Sequence, residues 1–98
     1  MSYVEDLFSV AGKTALVTGA ATGIGRMVAT ALVQGGARVL IASRKGDACA
    51  AAAAELNALG AAGRAEGFAG DVATEAGVDA LVSEVSSRTD RLGILVNN

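Results

Sequence analysis

The chain of 98 residues contains no histidine and one cysteine, Cys49. A single cysteine cannot close an internal disulfide, and without histidine or a second cysteine it has no partners for a metal site. Cys49 lies in the alanine-rich stretch Ala48 to Ala54. Nothing beside it activates a thiol, so it reads as a small helix residue rather than a reactive group. That same stretch is the longest uninterrupted apolar run, far short of the roughly 20 residues a bilayer-spanning helix needs. No membrane partner is expected. The opening Met1-Ser2-Tyr3-Val4-Glu5-Asp6 is acidic where a secretory or organellar leader would be basic, which makes the cytoplasm the default location. A net charge of −2 gives no electrostatic reason to expect nucleic acid.

What is present is globular: hydrophobic residues make up 52% of the chain. The length allows at most one domain, near the lower limit for a self-sufficient core. Three strand-like segments alternate with three helix-like ones before a fourth strand, the pattern of a parallel sheet built from βαβ units. The strands are expected at Thr14–Thr18, Arg38–Ala42, Arg64–Ala69 and Ile94–Asn97. Ile24, Met27, Val28, Ala31 and Leu32 fall on one face of a first helix that Gly35-Gly36 ends. A second helix is expected to start near Asp47 as its cap and to run through the alanines to Leu56 and Leu59, where Gly60 stops it. Thr74 is placed to cap a third, with Val78, Leu81, Val82 and Val85 on one face. The strands show little polar alternation, as strands covered on both faces do. The fold class is therefore α/β, a Rossmann-type doubly wound parallel sheet that is incomplete. Its fourth strand is expected at an open edge beside uncovered apolar surface.

The most informative residues are Thr18-Gly19-Ala20-Ala21-Thr22-Gly23-Ile24-Gly25, between the first strand and its helix. Gly19 can make the tight turn, Gly23 can open the helix, and Gly25 lets the helix lie close on the sheet. The helix N-terminus then offers free N–H groups and the positive end of a dipole to a pyrophosphate. Gly12-Lys13-Thr14 mimics the end of a P-loop, but the first glycine of that motif would fall on Leu7, and the segment precedes a strand rather than following one.

The spacing Gly-x-x-x-Gly-x-Gly resembles the glycine motif of the short-chain dehydrogenase/reductase family. So does the lead-in from Phe8 to Gly19. Asp71-Val72 stands where the family has an Asp-Val pair, and Leu95-Val96-Asn97-Asn98 resembles the start of its Asn-Asn-Ala-Gly element. The resemblance implies that the chain, residues 1–98, is the N-terminal part of an NAD(P)-binding domain. It further implies that backbone groups at Gly19, Ala20, Ala21, Thr22, Gly23 and Ile24, with Gly25 in the turn, face the adenosine phosphates and ribose. Asp71 would accept from the adenine amino group, Val72 would lie beside the ring, and Asn98 would join strand four to the adenosine side. The alternatives are a turn residue for Asp71 and a strand-end cap for Asn97 and Asn98.

Cofactor choice falls on Ser43, Arg44 and Lys45, at the end of the second strand. An acid there binds a free ribose 2′-hydroxyl, whereas a neutral residue followed by two cations suits a 2′-phosphate. NADP(H) is therefore expected over NAD(H), with a solvated basic loop as the alternative. Catalytic relatives carry a serine and a Tyr-x-x-x-Lys pair that exchange a proton with substrate. Here the one tyrosine is Tyr3, with no lysine four places on, so no catalytic residue is assigned and the 98-residue chain alone is expected to be inactive. A full-length version would transfer hydride between NADP(H) and a carbonyl or alcohol substrate, and a homo-oligomer is expected only of that longer protein. The segment Ala37 to Ala50 is similar to the 3-oxoacyl reductases of rhamnolipid biosynthesis, which points to a 3-oxoacyl thioester. A non-catalytic NAD(P)-sensing module is the alternative function, since fold does not fix function.

Overall fold

The computed structural model describes residues 10–20 and 23–97. Its strands are β1 (Thr14–Thr18), β2 (Arg38–Ser43), β3 (Arg64–Ala69) and β4 (Ile94–Val96), and its helices are α1 (Gly23–Gln34), α2 (Gly46–Asn57) and α3 (Glu75–Arg88). The strands form one parallel sheet in the order β3-β2-β1-β4. Leu16 of β1 sits between Leu40 of β2 and Leu95 of β4. As the sequence implies, β4 lies at an edge and, among the described residues, pairs only with β1.

Alternate residues along each strand face opposite layers. On one face Val17, Val39 and Ile41 pack with Ala29 and Val33 of α1 and with Cys49, Ala53 and Leu56 of α2. On the other, Leu16, Leu40 and Phe68 pack with Leu81 of α3. Burying a Val, Leu or Ile side chain contributes roughly 1.5–3 kcal/mol, so the fully enclosed Val39, Leu40 and Ile41 make β2 the centre of stability.

Small residues set the spacing of the layers. A Cβ added at Gly67 of β3 would run into the backbone carbonyl of Cys49, so α2 lies directly on that glycine. This is the physical use of the glycine in the strand that looks weakest by sequence.

Four boundaries and the face of α1 depart from expectation; β2 runs one residue further, to Ser43. In α1 the buried residues are Gly25, Ala29 and Val33, whereas Ile24 and Met27 of the expected core stripe are each 71% exposed. Both sets have helical spacing; the smaller one wins because it lets the helix backbone approach the sheet closely. Asp47 is not the cap of α2. The cap position is Lys45, without a side-chain cap bond, and Asp47 lies in the first turn, where a carboxylate favours the dipole. The helix stops at Asn57, because the Asn57 amide donates to Ala65 O at 2.9 Å and accepts from Ala65 N at 2.7 Å, binding the helix end to β3. Leu59 is left exposed. Strand β4 ends at Val96, one residue early. The Thr74 cap is as expected, accepting from Gly77 N–H at 3.0 Å.

At the edge of the α3 layer Glu66 accepts from both Arg38 and Arg88, and Arg88 also pairs with Glu84 one helical turn before it. The Arg88 guanidinium lies 4.4 Å from the centre of the Phe68 ring, a cation–π contact. Hydrogen bonding from Arg38, aided by Arg88, holds the Glu66 carboxyl below its ordinary range against the opposing effect of burial.

Candidate nucleotide site

The carboxyl ends of β1, β2 and β3 open into one cleft of about 380 Å³, lined by Thr18, Gly19, Ala42, Ser43, Arg44, Gly70, Asp71, Val72 and Ala73. Five of the residues named from sequence thus meet in one place: Gly19, Ser43, Arg44, Asp71 and Val72. Gly19 adopts φ 66°, in the left-handed region that favours glycine, and its N–H donates to Ala42 O at 2.9 Å. The turn out of β1 is thereby fastened to the end of β2.

Gly23, the first residue of α1, has φ 64° and open space where a Cβ would point. Glycine is required there by conformation, and the backbone remains approachable. Gly25 is buried against the sheet, and Ala20 is fully enclosed with its side chain in the core, so Ala20 can offer a ligand only backbone. Ile24 is exposed. Ala21, Thr22 and Asn98 lie outside the described residues.

Ser43, the last residue of β2, is half-buried, and Arg44 and Lys45 after it are exposed. Neither cation forms an ion pair among the described residues. The Ser43 hydroxyl accepts from Lys45 N–H at 3.1 Å and lies 3.1 Å from Cys49 Sγ. At the end of β2 the cleft is thus lined by a hydroxyl and by Arg44, with Lys45 following and no carboxylate. Asp71 is half-buried on the opposite wall, and its Oδ1 accepts from Ala73 N–H at 2.9 Å, the geometry of a turn residue. Its second oxygen has no partner among the described residues.

Two features are not legible from spacing. Thr18 Oγ1 donates to Asn97 Oδ1 at 3.1 Å, joining residues that the chain separates by 79 positions. Beside it an open apolar groove of about 400 Å³ runs between α3 and β4, lined by Leu16, Val72, Leu81, Val82, Leu92 and Leu95 among others. The face expected for α3 is therefore split: Leu81 is buried, while Val78 is exposed and Val82 is exposed along the groove. No helix among the described residues is long and apolar enough to cross a membrane.

A parallel sheet with helices on both faces, a glycine turn leading into a helix N-terminus, and a cleft at the strand carboxyl ends define a Rossmann-type dinucleotide-binding fold. The chain belongs to the short chain dehydrogenase family, whose pattern matches residues 13–98. That family comprises oxidoreductases that bind a nicotinamide dinucleotide.

Among curated relatives, the rhamnolipids biosynthesis 3-oxoacyl-[acyl-carrier-protein] reductase of Pseudomonas aeruginosa is 44% identical over 97% of this chain and 36% of its own length. Sorbitol dehydrogenase of Cereibacter sphaeroides is 46% identical over 89% of this chain and 32% of its own. Among solved structures, the Pseudomonas aeruginosa RhlG/NADP active-site complex superposes with a TM-score of 0.86 at 44% identity, over 93% of this chain and 36% of that one. The chain thus spans about a third of the length of these relatives.

Proposed function

We propose that this chain is the N-terminal, NADP(H)-binding part of a short-chain oxidoreductase. The carrying observation is the end of β2, where Ser43 and Arg44 line the cleft and Lys45 follows, with no carboxylate at the position that would hold a free ribose diol. Arg44 grips the 2′-phosphate and Lys45 adds charge beside it. The glycine turn from Gly19 through Ala20, Ala21 and Thr22 to Gly23, Ile24 and Gly25 takes the pyrophosphate along its backbone, with Gly19 shaping the turn because its own N–H is given to Ala42 O. Asp71 and Val72 hold the adenine, and Asn98 closes the adenosine side. The likeness to a structure solved with NADP supports this choice of cofactor.

The dinucleotide, when bound, supplies the hydride. Every residue assigned here acts on its adenosine end, and the proton transfer to substrate belongs to a Tyr-x-x-x-Lys pair that residues 1–98 do not contain. In the longer protein the substrate is a carbonyl or alcohol. A 3-oxoacyl thioester is the class favoured by the rhamnolipid-type relative.

The test is binding of NADPH and NADH to the unsubstituted protein and to Arg44→Ala. Hydrogen bonds to a charged group contribute roughly 1.5–3 kcal/mol, so NADPH should weaken about 10- to 100-fold with NADH little changed. Equal loss of both cofactors would show that Arg44 does not read the 2′-phosphate.

A further inference from the structure

Ser43 is the only hydroxyl at the end of β2, and two neighbours compete for its oxygen. Lys45 N–H donates to Oγ at 3.1 Å, while Cys49 Sγ lies 3.1 Å away with either atom able to donate. Cys49 has no exposed surface. Its position is fixed because its own carbonyl rests on Gly67, where a Cβ would not fit.

We propose that Cys49 is a positioning residue for cofactor discrimination: its S–H donates to Ser43 Oγ and thereby turns the Ser43 O–H into the cleft, toward a 2′-phosphate. This inference rests on the reading of the cleft as an NADP(H) site. A serine hydroxyl has one proton and two lone pairs. Lys45 N–H takes one lone pair. If the hydroxyl proton pointed at sulfur, the remaining lone pair would face the cleft and repel a phosphate oxygen. With the thiol as donor, both lone pairs are filled and the proton is free for the ligand.

A bound anion selects the second arrangement. A charge-assisted O–H···O⁻ bond is about twice as strong as a neutral one, and sulfur is a weak acceptor. No proton changes owner; the two rotors turn together. Arg44 recognises the phosphate by charge from an exposed position, whereas the Cys49–Ser43 pair recognises it through one short bond whose direction is set from the core.

The 98-residue chain is titrated with adenosine 2′,5′-bisphosphate and with adenosine 5′-monophosphate, which differ only in the 2′-phosphate. Cys49→Ala should lower the preference for the bisphosphate about fivefold while leaving the monophosphate unchanged. Cys49→Val, which fills the space without a donor, should behave alike. Cys49→Ser, which keeps a donor, should restore the preference. In a Ser43→Ala background, Cys49→Ala should have no further effect on it.

Equal weakening of both nucleotides, failure of Cys49→Ser to restore the preference, or a persisting effect in the Ser43→Ala background would each overturn the proposal. If the unsubstituted chain bound neither nucleotide, the cofactor reading itself would fall.

Discussion

Thr18 at the end of β1 and Asn97 just past β4 are joined side chain to side chain, with the Thr18 hydroxyl 3.1 Å from Asn97 Oδ1. The same hydroxyl is 3.5 Å from the carbonyl of Val96. Strand β4 has three residues and pairs with β1 alone among the described residues, and this link adds to what holds its end. Thr18→Val keeps the shape and removes the donor. It should cost about 1 kcal/mol of stability and speed amide exchange in β4 more than in β2. Unchanged exchange in β4 would show that the strand is held by its ladder alone.

Stability should fall in acid through Glu66. Its carboxyl is held below the ordinary value of 4.5, chiefly by the hydrogen bond from Arg38. A lowered carboxyl pKa contributes stability that is present above the unfolded value and is lost as pH falls through the folded one. Arg38 and Arg88 are raised from an already high value, which matters only in strong alkali. Glu66→Gln should therefore cost about 1–2 kcal/mol at about pH 7 and progressively less as pH falls through the folded value of Glu66, as denaturant titration would show. A cost that does not change with pH would assign the effect to packing.

Cofactor preference should reverse in Ser43→Asp/Arg44→Ala. The new carboxylate repels a 2′-phosphate and accepts from a ribose diol, so repulsion and attraction act in the same direction. Binding of NADPH and NADH at two salt concentrations reads the switch. The Arg44 contribution should shrink with added salt because the side chain is exposed. A variant that still prefers NADPH would place the determinant elsewhere.

Leu95, 63% exposed on the edge strand, and Val82, 58% exposed across the groove, should make the 98-residue chain associate as its concentration rises. Leu95→Lys/Val82→Lys should keep it monomeric by sedimentation. A concentration-independent monomer before substitution would contradict this.

The chain alone should turn over no carbonyl or alcohol in the presence of NADPH or NADP⁺, because its one tyrosine, Tyr3, has no lysine four places on. Measurable hydride transfer by purified protein would refute the division of labour proposed between cofactor binding and proton transfer.

The elements were legible because strand and helix periods differ and because Gly36 and Thr74 mark ends by local chemistry. The β3 span, Arg64–Ala69, follows its expected bounds despite the glycine inside it. What failed depended on distance in space. Nothing in the spacing of α1 tells whether Ile24 and Met27 or Gly25 and Ala29 face the sheet; the sheet chooses the smaller set. The end of α2 is decided by Asn57 reaching β3, and Asp47 loses the cap because the cap falls two residues earlier, on Lys45. In the cleft, residue types at the strand ends announced Gly19, Ser43 and Arg44, since those ends converge in any parallel sheet of this order, whereas Asp71 and Val72 were named through the family resemblance. The Cys49 contact with Ser43 was invisible, because a cysteine among alanines reads as filler until the helix is laid on its strand.

Gly67 carries a consequence for how such a protein can change. By letting α2 down onto β3, it acts as a gauge block beneath the cleft rim, setting the height at which sulfur meets the serine oxygen. Exchanging the surface loop alone, from Ser43 to Lys45, transplants the charges and leaves this buried calibration behind. A lineage drifting between cofactors would have to retune an interior spacing along with an exterior sequence, so ancestry in this segment should be written as coupled changes at the rim and beneath it.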